Sequence, residues 1–148
     1  MNDSALLTAE NFMMPDEPED DPIQAFFPTE NTKLRSYRSR IANVLIGTEK
    51  AMRLSECVGN KYWLIGFHAK QVKFKNGDSG RIVTIFCEAD STREFSAISA
   101  ASEYVYRALH TIAAVYKDSI GKEPIPILIR GFQTESGSYG YNLEVLND

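Results

Sequence analysis

From residue 59 to residue 99 the chain alternates long apolar and aromatic runs with short polar breaks. Residues 61–74 read KYWLIGFHAKQVKF, dense in the aromatic and branched side chains that suit a pleated, half-buried surface. The run NGDSG follows at 76–80, and Asn, Asp and Gly accept the positive φ of tight turns, so it predicts a reversal. Residues 81–88 predict a second strand, centred on Ile82, Val83, Ile85 and Phe86. Asp90-Ser91-Thr92 predicts a further turn, and residues 93–98 a third strand. The three form an antiparallel meander. Period-two alternation assigns Val83, Ile85, Cys87 and Ile98 to the core and leaves Ile82, Thr84, Phe86, Phe95 and Ala97 outward. On the first strand, Trp63 and Phe67 share parity with Ile65 and are assigned to the core.

Helical spacing marks two other stretches. Leu34, Tyr37, Ile41, Val44 and Leu45 recur every three or four residues, which predicts a helix over 32–47 capped by Thr32 and ended by Gly47. Residues 48–58 read as a connector. Ser99 precedes a second helix, 100–117, with Ala101, Val105, Leu109, Ile112 and Tyr116 on one face and Tyr104 and Tyr106 as packing or rim residues. Pro124 and Pro126 bracket the start of a fourth strand, 127–132. Residues 133–140 form a hairpin connection, and 141–146 a fifth strand with Tyr141, Leu143 and Val145 on one face.

The chain is therefore expected to be mainly β with helices. Three strands, a helix and two more strands are the order of a five-stranded OB-fold barrel. That domain is assigned to residues 32–148, preceded by a tail over 1–31. In such a barrel the ligand surface is the outer face of strands two and three, framed here by the loops at 75–80 and 133–139.

Charge divides the chain at the same boundary. The net charge is −4, yet residues 1–30 hold eight acids and no Lys or Arg, leaving sixteen bases against twelve acids beyond them. Four prolines lie among those acids, and such a segment buries too little apolar surface to offset its ordering entropy, so a disordered acidic tail is expected. Within it, the stretch 16–27 ends on Phe26 and Phe27, which with Ile23 form a candidate docking peptide for a neighbouring subunit or another partner. A tail of this charge would also compete with phosphates for a basic groove.

Several function classes find no support. No apolar run reaches the ~20 residues that span a bilayer, and residues 1–30 lack the basic start and apolar core of a secretory signal. Cys57 and Cys87 are too few and too far apart for a disulfide framework or a zinc site, and they read as reduced core thiols of a cytoplasmic protein. Glu88 and Asp90 read as a solvated strand-end rim rather than a metal site. There is no phosphate-cradling glycine loop, and nothing in the sequence brings a Ser or Cys nucleophile together with His68 or His110. No catalysis, cofactor or metal is assigned.

The segments LSECVGNK (54–61), RIVTI (81–85) and FSAIS (95–99) leading into a helix, then residues 126–132 and YNLEVL (141–146), resemble the single-stranded DNA-binding proteins of Gram-positive phages and conjugative plasmids. The resemblance covers about residues 41–146. It implies sequence-tolerant binding of single-stranded DNA in replication or transfer of a phage or mobile element, in the cytoplasm of a bacterial host. Bases would stack on aromatics while Lys and Arg neutralise phosphates. The candidate DNA contacts are Lys70, Lys73, Lys75, Arg81, Phe86, Arg93, Phe95, Arg130, Phe132 and Tyr139. Expected partners are single-stranded DNA, further copies of the chain through the N-terminal tail, and replication or conjugation proteins. The alternative reading is an OB-fold protein-interaction module that binds partners through the acidic tail.

Overall fold

The structure, a computed structural model, describes residues 25–28 and 31–147. In chain order its elements are β1 (Ala25–Phe26), α1 (Thr32–Arg35), α2 (Arg38–Ile46), β2 (Met52–Arg53), a 3-10 turn at Leu54–Cys57, β3 (Lys61–Lys73), β4 (Ser79–Ala89), β5 (Phe95–Ala100), α3 (Glu103–Val115), β6 (Ile125–Gln133) and β7 (Tyr139–Val145). The fold is mainly β, with a few helices. One sheet runs β2-β5-β4-β3-β6-β7, and β1 pairs with β3 off that path. All ladders are antiparallel except the short β2–β5 pair. Among the described residues no ladder joins β7 back to β5 or β2, so the sheet is a curled half-barrel.

β3 makes the curl possible. Its first residues pair with β6, from Lys61↔Leu128 to Leu64↔Ile125, while β4 follows its whole length. Between Leu64 and Gly66 the β4 register shifts, and this bulge bends the strand and changes which face its side chains meet. Trp63 and Ile65 therefore lie on the outer face, whereas Phe67 and Ala69 point into the half-barrel with Leu64. This corrects the expected shared parity of Phe67 with Trp63 and Ile65.

Two apolar clusters result. The inner one joins Leu64, Phe67, Val83, Ile85, Cys87, Ile98, Ile127 and Ile129 to Val105, Tyr106, Leu109 and Ile112, the buried stripe of α3. Ser102 caps α3 by accepting from the Val105 amide at 3.2 Å. The outer cluster packs Ile65, Phe86, Phe95 and Ala97 beneath Leu34 and Ile41 of α1 and α2. The helix expected over 32–47 is split in two. Asn31, rather than Thr32, caps α1 by accepting from the Lys33 and Leu34 amides, and the amides of Ser36 and Tyr37 then close a tighter turn on Lys33 and Leu34.

A buried carboxylate fastens that cover. Glu88 on β4 is 1% exposed and accepts from the Tyr37 hydroxyl at 2.7 Å, the Lys33 ammonium at 3.1 Å and the Arg93 guanidinium at 3.1 Å. Burial opposes ionisation of Glu88, but the hydrogen bonds from Tyr37, Lys33 and Arg93 outweigh it and hold its pKa below the ordinary value. Tyr37 is pushed up to about 12, by burial and then by the same bond. The carboxylate is thus a structural latch, not the solvated rim expected from its place at a strand end.

Because the folded pKa of Glu88 lies below the unfolded one, its contribution is complete above the ordinary carboxylate pKa of about 4.3 and is lost as pH falls through the folded value. Glu88→Gln is expected to lower stability at pH 7 by about 2 kcal/mol and to flatten the acid side of a melting-temperature profile between pH 7 and pH 3. An unchanged acid-side slope in the variant would assign that loss to other carboxylates.

Candidate functional site

Strand parity places Phe86, Phe95 and Ala97 on the outer face, as expected, but that face is not open. Phe86 is 0% and Phe95 6% exposed beneath the N-terminal helices. Their rings lie 6.4 Å apart, with Tyr37 5.1 Å from Phe95 and Phe27 6.3 Å from Phe86. Arg40 lies over Phe95 at 4.8 Å. Neither Phe86 nor Phe95 presents a ring to solvent, so the two expected stacking platforms are core residues in this structure. Sequence alternation assigns a face, and only tertiary packing says what covers it.

All three expected arginine contacts are committed elsewhere in the fold. Arg81 has the inward parity of Val83; its guanidinium meets Glu103 at 3.1 Å and lies over Tyr106 at 4.3 Å. Arg93, at φ 57°, turns back to Glu88 and stacks over Trp63 at 4.5 Å. Trp63 also carries Lys61 at 4.7 Å and donates its indole N–H to Asp90 at 2.8 Å. Arg130 is exposed but bonded to Glu144 at 2.7 Å.

The lysines differ. Lys70, Lys73 and Lys75 are exposed along the outer half of the β3–β4 hairpin, with no carboxylate of the described residues within salt-bridge distance. Phe74 lies between them, 38% exposed, with its ring over Gly80, where a Cβ would fall 2.6 Å from it. The turn below is held by the Asp78 amide donating to the Asn76 side chain at 2.9 Å and by the Phe74 amide to the Asp78 carbonyl at 2.8 Å.

The β6–β7 hairpin is a second arm of the same design. Phe132 covers Gly140, while Tyr139 reaches over Gly131 and meets Tyr141 edge-on at 5.3 Å. Tyr139 is 55% exposed. The N-terminal end of α3 bridges the arms: Glu103 holds Arg81 at the base of the first, and Tyr104, 53% exposed, packs edge-on against Phe132 at 5.2 Å. Exposed Phe74, Tyr104 and Tyr139 with Lys70, Lys73 and Lys75 are thus the basic and aromatic surface that remains. Phe74 and Tyr104 were not among the expected contacts, although Phe74 stands between two lysines in the sequence.

The candidate docking peptide divides. Ile23 lies outside the described residues. Phe26 and Phe27 seat on the chain's own sheet: β1 pairs Ala25↔His68 and Phe26↔Phe67, and the Phe26 and Phe67 rings lie 5.7 Å apart. Phe27 stacks on His68 at 6.4 Å. Burial, and then Lys70, hold the His68 pKa below its ordinary value, so the ring under Phe27 favours its neutral form. Gly66 and Gly121 build the seat, since a Cβ would fall 2.5 Å from the Phe26 carbonyl oxygen at the first and 2.8 Å from that of Phe27 at the second. The last residues of the expected tail are therefore part of the folded unit.

These residues define a curled, antiparallel half-barrel with one helix on its inner side, two helices over its outer face and two exposed hairpin arms. No protein family, curated protein or solved structure matches the chain. Among the described residues no group of three His, Cys, Asp or Glu is placed to hold a metal ion, and no helix is long and apolar enough to cross a membrane.

Removing a buried ring leaves a cavity, and removing an arm ring does not. Phe86→Ala is expected to cost about 3–5 kcal/mol in denaturant unfolding, whereas Phe74→Ala and Tyr139→Ala should stay within about 1 kcal/mol of the parent. A near-neutral Phe86→Ala would mean that α1 and α2 do not cover that face in solution.

Proposed function

We propose that the chain is a sequence-tolerant single-stranded DNA-binding protein of OB-fold type, acting in the cytoplasm of a bacterial host in replication or transfer of a phage or mobile element. The strand pairing supports the fold reading: a β3–β4–β5 meander, α3 between β5 and β6, and a β6–β7 hairpin laid against the start of β3. The observation that carries the functional reading is the set of Lys70, Lys73 and Lys75, without a carboxylate partner among the described residues, around exposed Phe74, with Tyr104 on α3 and Phe132 and Tyr139 on the β6–β7 arm.

In this reading the backbone runs along the β3–β4 arm, where the three ammonium groups neutralise phosphates. Flexible lysine stems suit a strand whose phosphates hold no fixed spacing. The exposed rings offer π-faces that accept any base, which gives affinity without a base code. A duplex hides those faces, so it loses the stacking contribution. The alternative, an OB-type protein-interaction module, is favoured by one observation: the glycine-lined seat already holds an extended peptide, Ala25–Pro28.

With about three phosphates neutralised, log affinity for a labelled oligo(dT) is expected to fall against log salt with a slope of about −2, from roughly −0.7 per phosphate. Replacing Lys70, Lys73 and Lys75 by Ala should flatten that slope, and Phe74→Ala, Tyr104→Ala and Tyr139→Ala should each cost about 1–3 kcal/mol of binding where a base stacks. Fluorescence anisotropy measures both. Equal affinity for duplex and single strand would sink the stacking mechanism, and no binding at low salt would leave the interaction module.

A further inference from the structure

We propose that the cleft between α3 and β7 is a nucleotide subsite, which takes one base of the single strand where it leaves the hairpin arms. This rests on the proposed function and adds to it a place, off the hairpins, where the strand is held. The cleft has a volume of about 310 Å³, at the small end of the range for ligand sites.

The helix supplies one wall. Tyr104, Arg107 and Thr111 follow at three- and four-residue spacing, so they form a single stripe along about 10 Å of α3, turned away from its buried residues Val105 and Leu109. Tyr104 starts that stripe and also packs edge-on against Phe132 at 5.2 Å, while 53% exposed. A strand lying on the arms therefore reaches the cleft across a ring that already belongs to their surface.

β7 supplies the other wall. Leu143 and Val145 line it with apolar surface, and Asn142 sets an amide at its edge. The Asn142 Oδ1 accepts from the Leu143 amide at 2.9 Å, which, among the described residues, leaves its Nδ2 protons without an acceptor.

Chemistry selects the occupant. The two walls carry one cation, Arg107, and no carboxylate, a balance that suits an anion. An apolar side chain of a protein partner would bury the Asn142 amide and the Thr111 hydroxyl without bonds, which is costly. A nucleobase has a flat face to lie on Tyr104 and a polar edge to bond the amide, and its phosphate complements the Arg107 charge.

The test uses the full chain and an oligo(dT) in which one thymine carries a disulfide-tethered arm on its C5 carbon. Native Cys57 and Cys87 are both 0% exposed, so the arm exchanges with a thiol placed in the cleft by Thr111→Cys. Exchange there is expected to be about tenfold faster than at Lys117→Cys, an exposed position beyond the end of α3. Asn142→Leu, which removes the amide and crowds the slot, should slow it to the control rate. Equal rates at the two cysteines overturn the proposal, and they decide it alone if Asn142→Leu does not fold stably. In fluorescence anisotropy Asn142→Leu should weaken oligo(dT) binding about tenfold, the loss of one stacked base, with no change in the slope against log salt because no charge is altered. Parent-like affinity in a folded Asn142→Leu overturns the subsite while the proposed function stands. A parent chain that binds no oligo(dT) at low salt overturns both.

Discussion

One edge of β3 has to serve two neighbours, and the rest of the molecule follows from how it is divided. Lys61–Leu64 pair with β6 and Phe67–His68 with β1, with the bulge and Gly66 between them. Without the bulge, Phe67 would keep the outward parity of Ile65 and leave the inner core without one of its largest rings. Without a glycine at 66, the Phe26 carbonyl would meet a Cβ at 2.5 Å and β1 would be pushed off the edge. Curvature, core and N-terminal anchor therefore share three residues.

The outer face raises a question that magnitudes decide. A ligand could stack on Phe86 and Phe95 only by displacing α1 and α2 and exposing Leu34, Ile41, Ile65 and both rings. At about 2 kcal/mol for each buried side chain, that displacement costs on the order of 10 kcal/mol before the Glu88 latch is counted. Two stacked bases return about 2–6 kcal/mol. The balance favours keeping the cover closed, which moves the chemistry to Phe74, Tyr104 and Tyr139 on the arms and the end of α3, where rings are exposed without prior rearrangement.

Much of this was legible in the chain and some of it was not. The meander, the helix after it and the final hairpin follow from strand-period alternation, helix-period spacing and two turn signals, all local properties. Parity also placed Phe86 and Phe95 on the correct face. The cover did not follow, because Leu34 and Ile41 mark an apolar helix face without naming the surface it meets. Two misplacements carried their own warning. Arg81 has the parity of Val83 and Ile85, so its inward turn toward Glu103 and Tyr106 was readable as strand geometry. Gly66, alone inside an aromatic run, is the kind of glycine that signals a bulge or a close backbone approach, and here it serves both. Glu88 gave no such signal: a carboxylate at a strand end becomes a core residue only through Lys33, Tyr37 and Arg93, two of them more than fifty residues away.

Net charge is a poor guide to such a surface, because charges act over a Debye length of about 8 Å at physiological salt. Residues 31–148 carry four more bases than acids, but six of the sixteen bases are answered locally: Arg40 by Glu49, Arg81 by Glu103, Arg130 by Glu144, Lys61 by Asp90, and Lys33 and Arg93 by Glu88. Lys70, Lys73 and Lys75 stand together without such a partner among the described residues, along the hairpin whose first strand pairs with β1. The same sequence that gives the whole chain −4 can thus present a basic arm, and the local arrangement, not the total, decides which partner it meets.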